Sequence, residues 1–385
     1  MLSLFLIIWI IIQLIIGFNL IFPLLLYCLY LLTKNRATPP PARTNQPDFA
    51  VIITAYQYVD TLPDVVASVL KLNYDNFLVY IVADNCDISS LHFTDERVIL
   101  MKPEDVLRGN TKSHFYAINR FKREHDIVTI IDSDNLVNPE YLNQLAPFFK
   151  NGFEAVQGLR EAKNLDTTYA CLDAARDIYY HFFDCKVLFR CGSSSTLSGS
   201  GMAFTTQLYK KCLENKVIEG AGFDKVLQAA ILERNKRIAF AGDAIVYDQK
   251  TSRPEELVNQ RSRWINTWFK YFSLGFGIFF SGLKNLSLNQ ILFGLVLLRP
   301  PLFVFLILSV VMMLISLVAF PVHALFWLIG FLVFVSCFAI ALVSSNPDKR
   351  IYKALTGIPK FIFYQVISLT KIRKANIRSV STKHT

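Results

Sequence analysis

Asp132 and Asp134 stand two residues apart at the end of an apolar, β-branched run, Ile127-Val128-Thr129-Ile130-Ile131. Such a run reads as a buried strand of a parallel sheet. Ligands of open α/β sheets bind beyond the carboxyl ends of the strands, so both carboxylates are expected at the rim of a cleft. Their hard oxygens suit Mg2+ or Mn2+ better than zinc, and such ions commonly also bind substrate phosphates. The same residues also read as an Asp-rich turn that caps the next helix. This stretch alone does not separate the two readings.

Other chemistry-bearing residues surround it in sequence. Asp84 ends a second apolar run, Phe77–Ala83, and Asp224 opens a helix-like stretch, Asp224–Asn235. Lys112 follows Arg108-Gly-Asn-Thr111. Gln260, Arg263 and Trp264 lie at i, i+3 and i+4 and so share one helix face. Each has a plainer reading: a helix N-cap for Asp224, a solvated helix-start lysine for Lys112, an interfacial Arg/Trp belt for the third group. The small residues of Leu197-Ser-Gly-Ser-Gly-Met-Ala-Phe204 allow close backbone approach to a ligand, or a flexible hairpin. No Walker-type phosphate loop is present, and Gly199-Ser-Gly201 lacks the third glycine of a dinucleotide fingerprint. Seven cysteines without CxxC spacing fit a reduced domain with neither disulfide framework nor zinc site.

The elements that must position these residues alternate. Strand signals at Phe49–Thr54, Phe77–Ala83, Arg97–Met101 and Ile127–Ile131 are separated by helix signals at Leu62–Leu72 and Lys112–Arg123. That β-α-β-α-β rhythm predicts a mainly parallel sheet with right-handed crossovers. Later stretches read as a helix over Pro139–Phe149, an aromatic-rich helix over 166–186, and edge-like strands at Arg237–Gly242 and Ile245–Tyr247.

The ends of the chain differ from the middle. Of 385 residues, 53% are hydrophobic, and residues 1–32, 302–320 and 324–343 carry no charge at all. Each is long enough to cross a bilayer core, which needs about 20 residues. The first lacks the basic start and small-residue cleavage site of a signal peptide, so it reads as an uncleaved anchor. The net charge of +10 tracks these segments, with Lys34, Arg36 and Arg43 after the first and Lys349 to Lys383 after the last. This positive-inside pattern argues against nucleic acid as a partner and for membrane lipids. It predicts a cell-membrane, multi-pass protein whose central domain and C-terminus are cytoplasmic and whose N-terminus is outside. Glu255–Gly282 drifts from polar to aromatic and reads as one amphipathic helix in the interface plane, and Lys349–Lys371 as another. The expected divisions are a transmembrane anchor (1–32), a Pro-rich linker (33–47), a globular domain (48–253), an interfacial helix (254–283), two transmembrane helices (299–345) and a basic tail (346–385).

Asp84, Asp132-Ser-Asp134, Asp224 and Gln260-Arg-Ser-Arg-Trp264, in this order and directly before C-terminal membrane segments, resemble the motifs of membrane-integrated family-2 glycosyltransferases. That group includes the cellulose, chitin and hyaluronan synthases and ceramide glucosyltransferase. The resemblance runs from about residue 48 to the last crossing. It implies an α/β catalytic domain of the GT-A fold and metal-dependent, inverting transfer of a sugar from a nucleotide donor, a UDP-sugar in first place. It further implies that Asp84 and Tyr56 lie near the nucleoside, that Asp134, with Asp132, ligates the metal, and that Asp132 lies by the sugar and ribose. Lys112 and Arg263 would contact the diphosphate, Trp264 would stack on the acceptor sugar beside Gln260, and Asp224 would be the base. Two departures stand out: Phe223 replaces the family's glutamate before Asp224, and Ala55-Tyr56-Gln57-Tyr58 lacks a usual carboxylate.

The implied acceptor is a lipid or glycan at the membrane. Processive polysaccharide synthesis with partner subunits, an export partner or a homo-oligomer is one alternative. A receptor or scaffold with a degenerate nucleotide-sugar domain is another. The terminal Thr382-Lys383-His384 faintly resembles the ending of non-processive relatives.

Overall fold

The computed structural model describes residues 2–33, 46–218 and 220–371. The Thr38–Ala42 part of the linker, Arg36, Arg43, the basic residues beyond Lys371 and Thr382–His384 lie outside them. The central domain is built on one mixed eight-stranded sheet. Its strands are β1 (Phe49–Tyr56), β2 (Phe77–Asp84), β3 (Val98–Met101), β4 (Ile127–Asp132), β5 (Leu136–Val137), β6 (Ala155–Ala162), β7 (Met202–Thr205) and β8 (Ile238–Asp248). Their order across the sheet is β3-β2-β1-β4-β7-β6-β8-β5.

The β-α-β part is parallel as expected: β1 pairs with β2 and β4, and β2 with β3. Beyond β4 the sheet turns mixed. β7 runs antiparallel to both β4 and β6. The two edge-like strands expected at 237–247 are instead one long strand, β8. It sits inside the sheet between β6 and β5, with its register against β6 shifted at Gly158/Leu159. A β-bulge of this kind bends the strand and joins what the sequence presents as two runs.

The apolar runs lack polar alternation because both faces of the sheet are covered. On one face, Ala50, Ile52, Tyr80, Val82, Val128 and Ile130 share a core. On the other, Phe49, Val51, Ile53, Val79, Ile81 and Ile131 do. Burying each such side chain is worth roughly 1.5–3 kcal/mol. The first core does not stop at the domain. It continues through Phe182, Phe183 and Leu188 into Leu20, Phe22 and Leu26 of the N-terminal helix and Phe305 and Phe334 of the C-terminal helices.

Three helices are long and apolar enough to cross a membrane: Leu6–Thr33, Leu302–Ala319 and Pro321–Ser345. They pack on one another, with Trp327 Nε1 donating to Gln13 Oε1 at 3.3 Å. The single amphipathic helix expected over Glu255–Gly282 is broken. A helix over Pro254–Tyr271 is followed by a hairpin of two 11-residue apolar helices, Leu274–Lys284 and Leu288–Leu298. The second of these was not expected from the sequence. At 1.5 Å per residue each is about 16 Å long, too short to span a bilayer core. The hairpin docks on the sheet domain through polar groups: Ser194 Oγ donates to Asn289 Oδ1 (2.7 Å) and Gln290 Nε2 to Leu232 O (2.8 Å). The basic tail forms helices Lys349–Ala354 and Ile358–Thr370, and Ser262 Oγ donates to Ser368 O at 2.9 Å.

The hairpin closes through glycine. A Cβ on Gly294 would lie 2.8 Å from the backbone N of Phe279. Gly294→Ala is therefore expected to overpack the hairpin and cost about 1–3 kcal/mol. A lowered melting midpoint of the detergent-solubilised protein checks this; an unchanged midpoint would show that the two helices part freely.

Candidate active site

The Asp132–Asp134 turn leaves the carboxyl end of β4 and is gripped from both sides. Thr61 Oγ1 donates to Ser133 O at 2.6 Å. From the other side, Ser200 Oγ accepts from Asp132 N (3.1 Å) and from Asn135 Nδ2 (2.8 Å). Ser200 belongs to the small-residue segment before β7, which a buried glutamine holds in turn. Gln157 Nε2 donates to Ser200 O (3.1 Å), and its Oε1 accepts from Ser198 N (3.0 Å). The segment thus approaches the acidic turn closely and is not a loose hairpin. Ser200 and Gln157 carry no spacing signal that could have singled them out.

Burial pushes the Asp132 carboxyl up to about 7, with Asp134, Asp248 and Asp224 adding to the rise and Arg160 opposing it. Carboxylates crowded at a half-buried rim have an excess of negative charge that a divalent cation would neutralise. Among the described residues no group of three or more His, Cys, Asp or Glu is arranged as a metal site. Two hard carboxylates on the cavity lining fit an ion of the Mg2+ or Mn2+ kind, which takes one or two carboxylates and completes its shell with substrate phosphates and water.

The turn opens into a cavity of about 690 Å3. Tyr56, Asp132, Asp134, Asp224, Gln260, Arg263 and Trp264 all line it. Asp84 and Lys112 do not. Asp84 is 2% exposed, and its two carboxylate oxygens accept the backbone N–H groups of Leu107 (2.9 Å) and Arg108 (2.8 Å). It props the loop whose next residues, Gly109 and Asn110, reach the cavity. Lys112 is exposed, on the helix Asn110–Ile118.

Asp224 lies in the first turn of helix Phe223–Glu233. The preceding Gly222 has φ +105°, and a Cβ there would lie 2.5 Å from Tyr271 Cε2 and 2.7 Å from Thr267 Cγ2. Only glycine allows this left-handed turn to press against the Pro254–Tyr271 helix. Phe223, in the glutamate's place, is buried with its ring 5.2 Å from that of His114. His114 is itself buried, its Nδ1 2.7 Å from Tyr209 Oη and its Nε2 unpartnered among the described residues.

Gln260 Oε1 accepts from Thr251 Oγ1 at 3.1 Å. Trp264, 39% exposed, is flanked by two guanidinium groups, Arg176 at 4.3 Å and Arg261 at 4.1 Å from its ring centroid. Behind them runs a buried ionic network. Arg261 pairs with Asp173, and Arg176 with Asp173 (3.1 Å) and Asp177. Lys250 Nζ donates to Asp177 (2.5 Å) and Asp248 (2.7 Å). Arg160 bridges Asp248 (2.6 Å) and Ser198 O (2.6 Å). Burial alone would raise the Asp177 carboxyl, but Arg176 and Lys250 hold it well below the usual carboxylate range. The sequence reading missed all of these residues. Their charges lie on two strands, the stretch just after β8 and two helices with no common spacing, and only the fold joins them.

Burial pushes the His114 ring down to about 3, from an ordinary 6.5. Because the folded value is the lower one, the unfolded chain takes up the proton first on acidification. His114 therefore costs nothing above pH 6.5 and about 1.4 kcal/mol per pH unit on the way down from it. His114→Gln is expected to show a shallower fall of melting midpoint between about pH 6.5 and 4 than the unaltered protein. Parallel falls would assign the acid sensitivity to other groups.

The chain is similar in fold to the mannosyltransferase PcManGT from Pyrobaculum calidifontis in complex with GDP-Man and Mn2+. That likeness has a TM-score of 0.53 at 15% identity and covers 93% of this chain and 99% of the other. A more distant likeness, with a TM-score of 0.42 at 16% identity over 85% of this chain and 90% of the other, is to S. aureus TarS 1-349 in complex with UDP-GlcNAc. No curated protein matches the chain. The sequence model of the family described as Glycosyltransferase like family 2 matches residues 47–267, which hold the whole sheet and most of the cavity. On that match, which spans more than half of its 385 residues, the chain belongs to the glycosyltransferase-like family 2 and carries a GT-A-type α/β domain.

Proposed function

We propose that the protein transfers a sugar, with inversion, from a nucleoside-diphosphate sugar to a membrane-associated acceptor, a polysaccharide or lipid-linked glycan, at the cytoplasmic membrane face. One observation carries this reading. Asp132 and Asp134, Asp224, and the Gln260–Trp264 face share a single cavity, and that cavity also touches Leu302 and Phe303 at the start of a spanning helix.

The donor lies over the Asp132–Asp134 turn, with Tyr56 near the nucleoside. Asp84 supports that end through the loop it props, and Lys112 stands outside as a source of positive charge. Asp132 and Asp134 would hold Mg2+ or Mn2+. When bound, the ion supplies positive charge against the leaving diphosphate. Arg263 adds a forked donor for the same phosphates. Trp264, 39% exposed with the Arg176 and Arg261 guanidiniums against its ring, offers its exposed part to an acceptor sugar. Asp224 takes the proton of the acceptor hydroxyl as its oxygen attacks the anomeric carbon opposite the diphosphate. That single displacement inverts the configuration. Phe223 walls this side with an apolar ring where a second carboxylate is usual. Trp268, Tyr271 and Phe272 continue this aromatic lining of the cavity.

Membranes containing the protein, incubated with a panel of nucleotide sugars and Mn2+ or Mg2+, are expected to release nucleoside diphosphate and form sugar-labelled product. UDP-sugars come first in the panel, and GDP-mannose is included because the PcManGT complex contains it. Asp224→Asn is expected to lower turnover by about 10²-fold or more, the usual scale of general-base catalysis. Undiminished turnover in Asp224→Asn would remove it as the base. No turnover with any donor would favour a nucleotide-sugar receptor.

A further inference from the structure

The part of the cavity lined by residues 272–303 has a different chemistry from the acidic turn. Phe272, Val296, Leu297, Pro301, Leu302 and Phe303 wall it. Among these apolar side chains sits one ion pair, Arg299 with Asp184. Both residues line the cavity, and Arg299 is only 7% exposed. Arg299 Nη2 serves the pair. Its Nη1 and the other Asp184 oxygen, Oδ1, have no hydrogen-bond partner among the described residues. An unmet N–H on a buried guanidinium is costly, so the arrangement calls for an acceptor there.

Two further features aim at the same place. The spanning helix Leu302–Ala319 begins here behind Pro301, with no side-chain cap, and its first N–H donates to Tyr180 Oη at 3.2 Å. The positive end of an 18-residue helix therefore faces the lobe. Asp184 lies in the π-helical turn His181–Val187, an irregularity that recurs at ligand sites.

We infer that Arg299 and the start of the Leu302 helix bind the phosphate of a lipid-linked acceptor, whose chain leaves along Leu302 and Phe303 and whose sugar reaches back over Trp264 to Asp224. This assignment rests on the transferase reading above and names its acceptor class. The Arg299–Asp184 pair is neutral overall, so a free phosphate gains little there. A phosphate attached to an apolar chain gains the burial of that chain as well. The unmet Asp184 oxygen is left to accept from a hydroxyl of the head group.

The test uses the full-length protein in phosphatidylcholine nanodiscs without nucleotide sugar, and reads binding of radiolabelled farnesyl phosphate, farnesol and inorganic phosphate. Farnesyl phosphate is expected to bind about tenfold tighter than farnesol and to resist displacement by excess inorganic phosphate. Arg299→Gln, and Leu302→Trp, which fills the lobe, are each expected to weaken it by about tenfold or more. Equal affinity for farnesol, displacement by inorganic phosphate, or full affinity in a folded Arg299→Gln overturns the assignment. If Arg299→Gln does not fold, full affinity in Leu302→Trp overturns it. Nucleoside diphosphate binding to the same unaltered discs is scored separately. Prenyl phosphate binding without nucleotide binding upholds the lobe and sinks the transferase reading, and the converse result sinks the lobe alone.

Discussion

The arrangement depends on one constraint: charges buried between the sheet and the helices packed beside it must be paired. Asp173, Asp177 and Asp248 are met there by Arg160, Arg176, Lys250 and Arg261. These residues come from β6, β8, the stretch just after β8, the helix Thr168–Tyr180 and the helix Pro254–Tyr271. Removing one partner of such a network leaves a buried charge unpaired and costs several kcal/mol. Shifting any one element would do the same, so the network sets how the Gln260–Trp264 face meets the sheet. Trp264 is the visible result, since both guanidiniums against its ring are already tied to carboxylates behind it.

The acidic turn is held by a different means. Asp132 makes no ion pair among the described residues; the turn is positioned by neutral hydrogen bonds, between Asp132 N and Ser200 and between Ser133 O and Thr61. Asp132 and Asp134 line the cavity while the main chain is fixed. Gln157 extends this grip one layer deeper, using both ends of its amide on the Ser198–Gly201 segment. The acidic turn and the Gln260–Trp264 face thus rest on separate supports that meet at Arg160. That side chain touches Ser198 of the first support and Asp248 of the second.

The core explains why the sheet domain and the three long apolar helices form one body. Residues of β1, β2 and β4 on one sheet face share a cluster with Leu20, Phe305 and Phe334. Apolar packing is non-directional and grows with the area removed from water, so a continuous cluster joins the two parts without specific bonds. Direction is supplied at the edges, where Ser194 and Gln290 hydrogen-bond across to the short helical hairpin.

The sequence by itself determined the parallel half of the sheet, the three apolar helices and the residue types of the cavity. Those follow from local patterns: β-branched runs cut off by aspartates, uncharged stretches of bilayer length, and a fixed i, i+3, i+4 spacing. It placed Asp132, Asp134, Asp224, Gln260, Arg263, Trp264 and Tyr56 as candidates, and one cavity brings all seven together. Tertiary structure alone decided the rest. It made one strand of β8, split the interfacial helix and added Leu288–Leu298, because bulges and breaks are set by neighbours that local periodicity does not record. It turned Asp84 inward onto Leu107 and Arg108, since a buried carboxylate takes the nearest backbone donors. It also assembled Arg160, Arg176, Arg261 and Arg299 around the cavity, with Lys250 paired behind them. Charge pairing acts through space between segments distant in the chain, and no spacing along that chain encodes it.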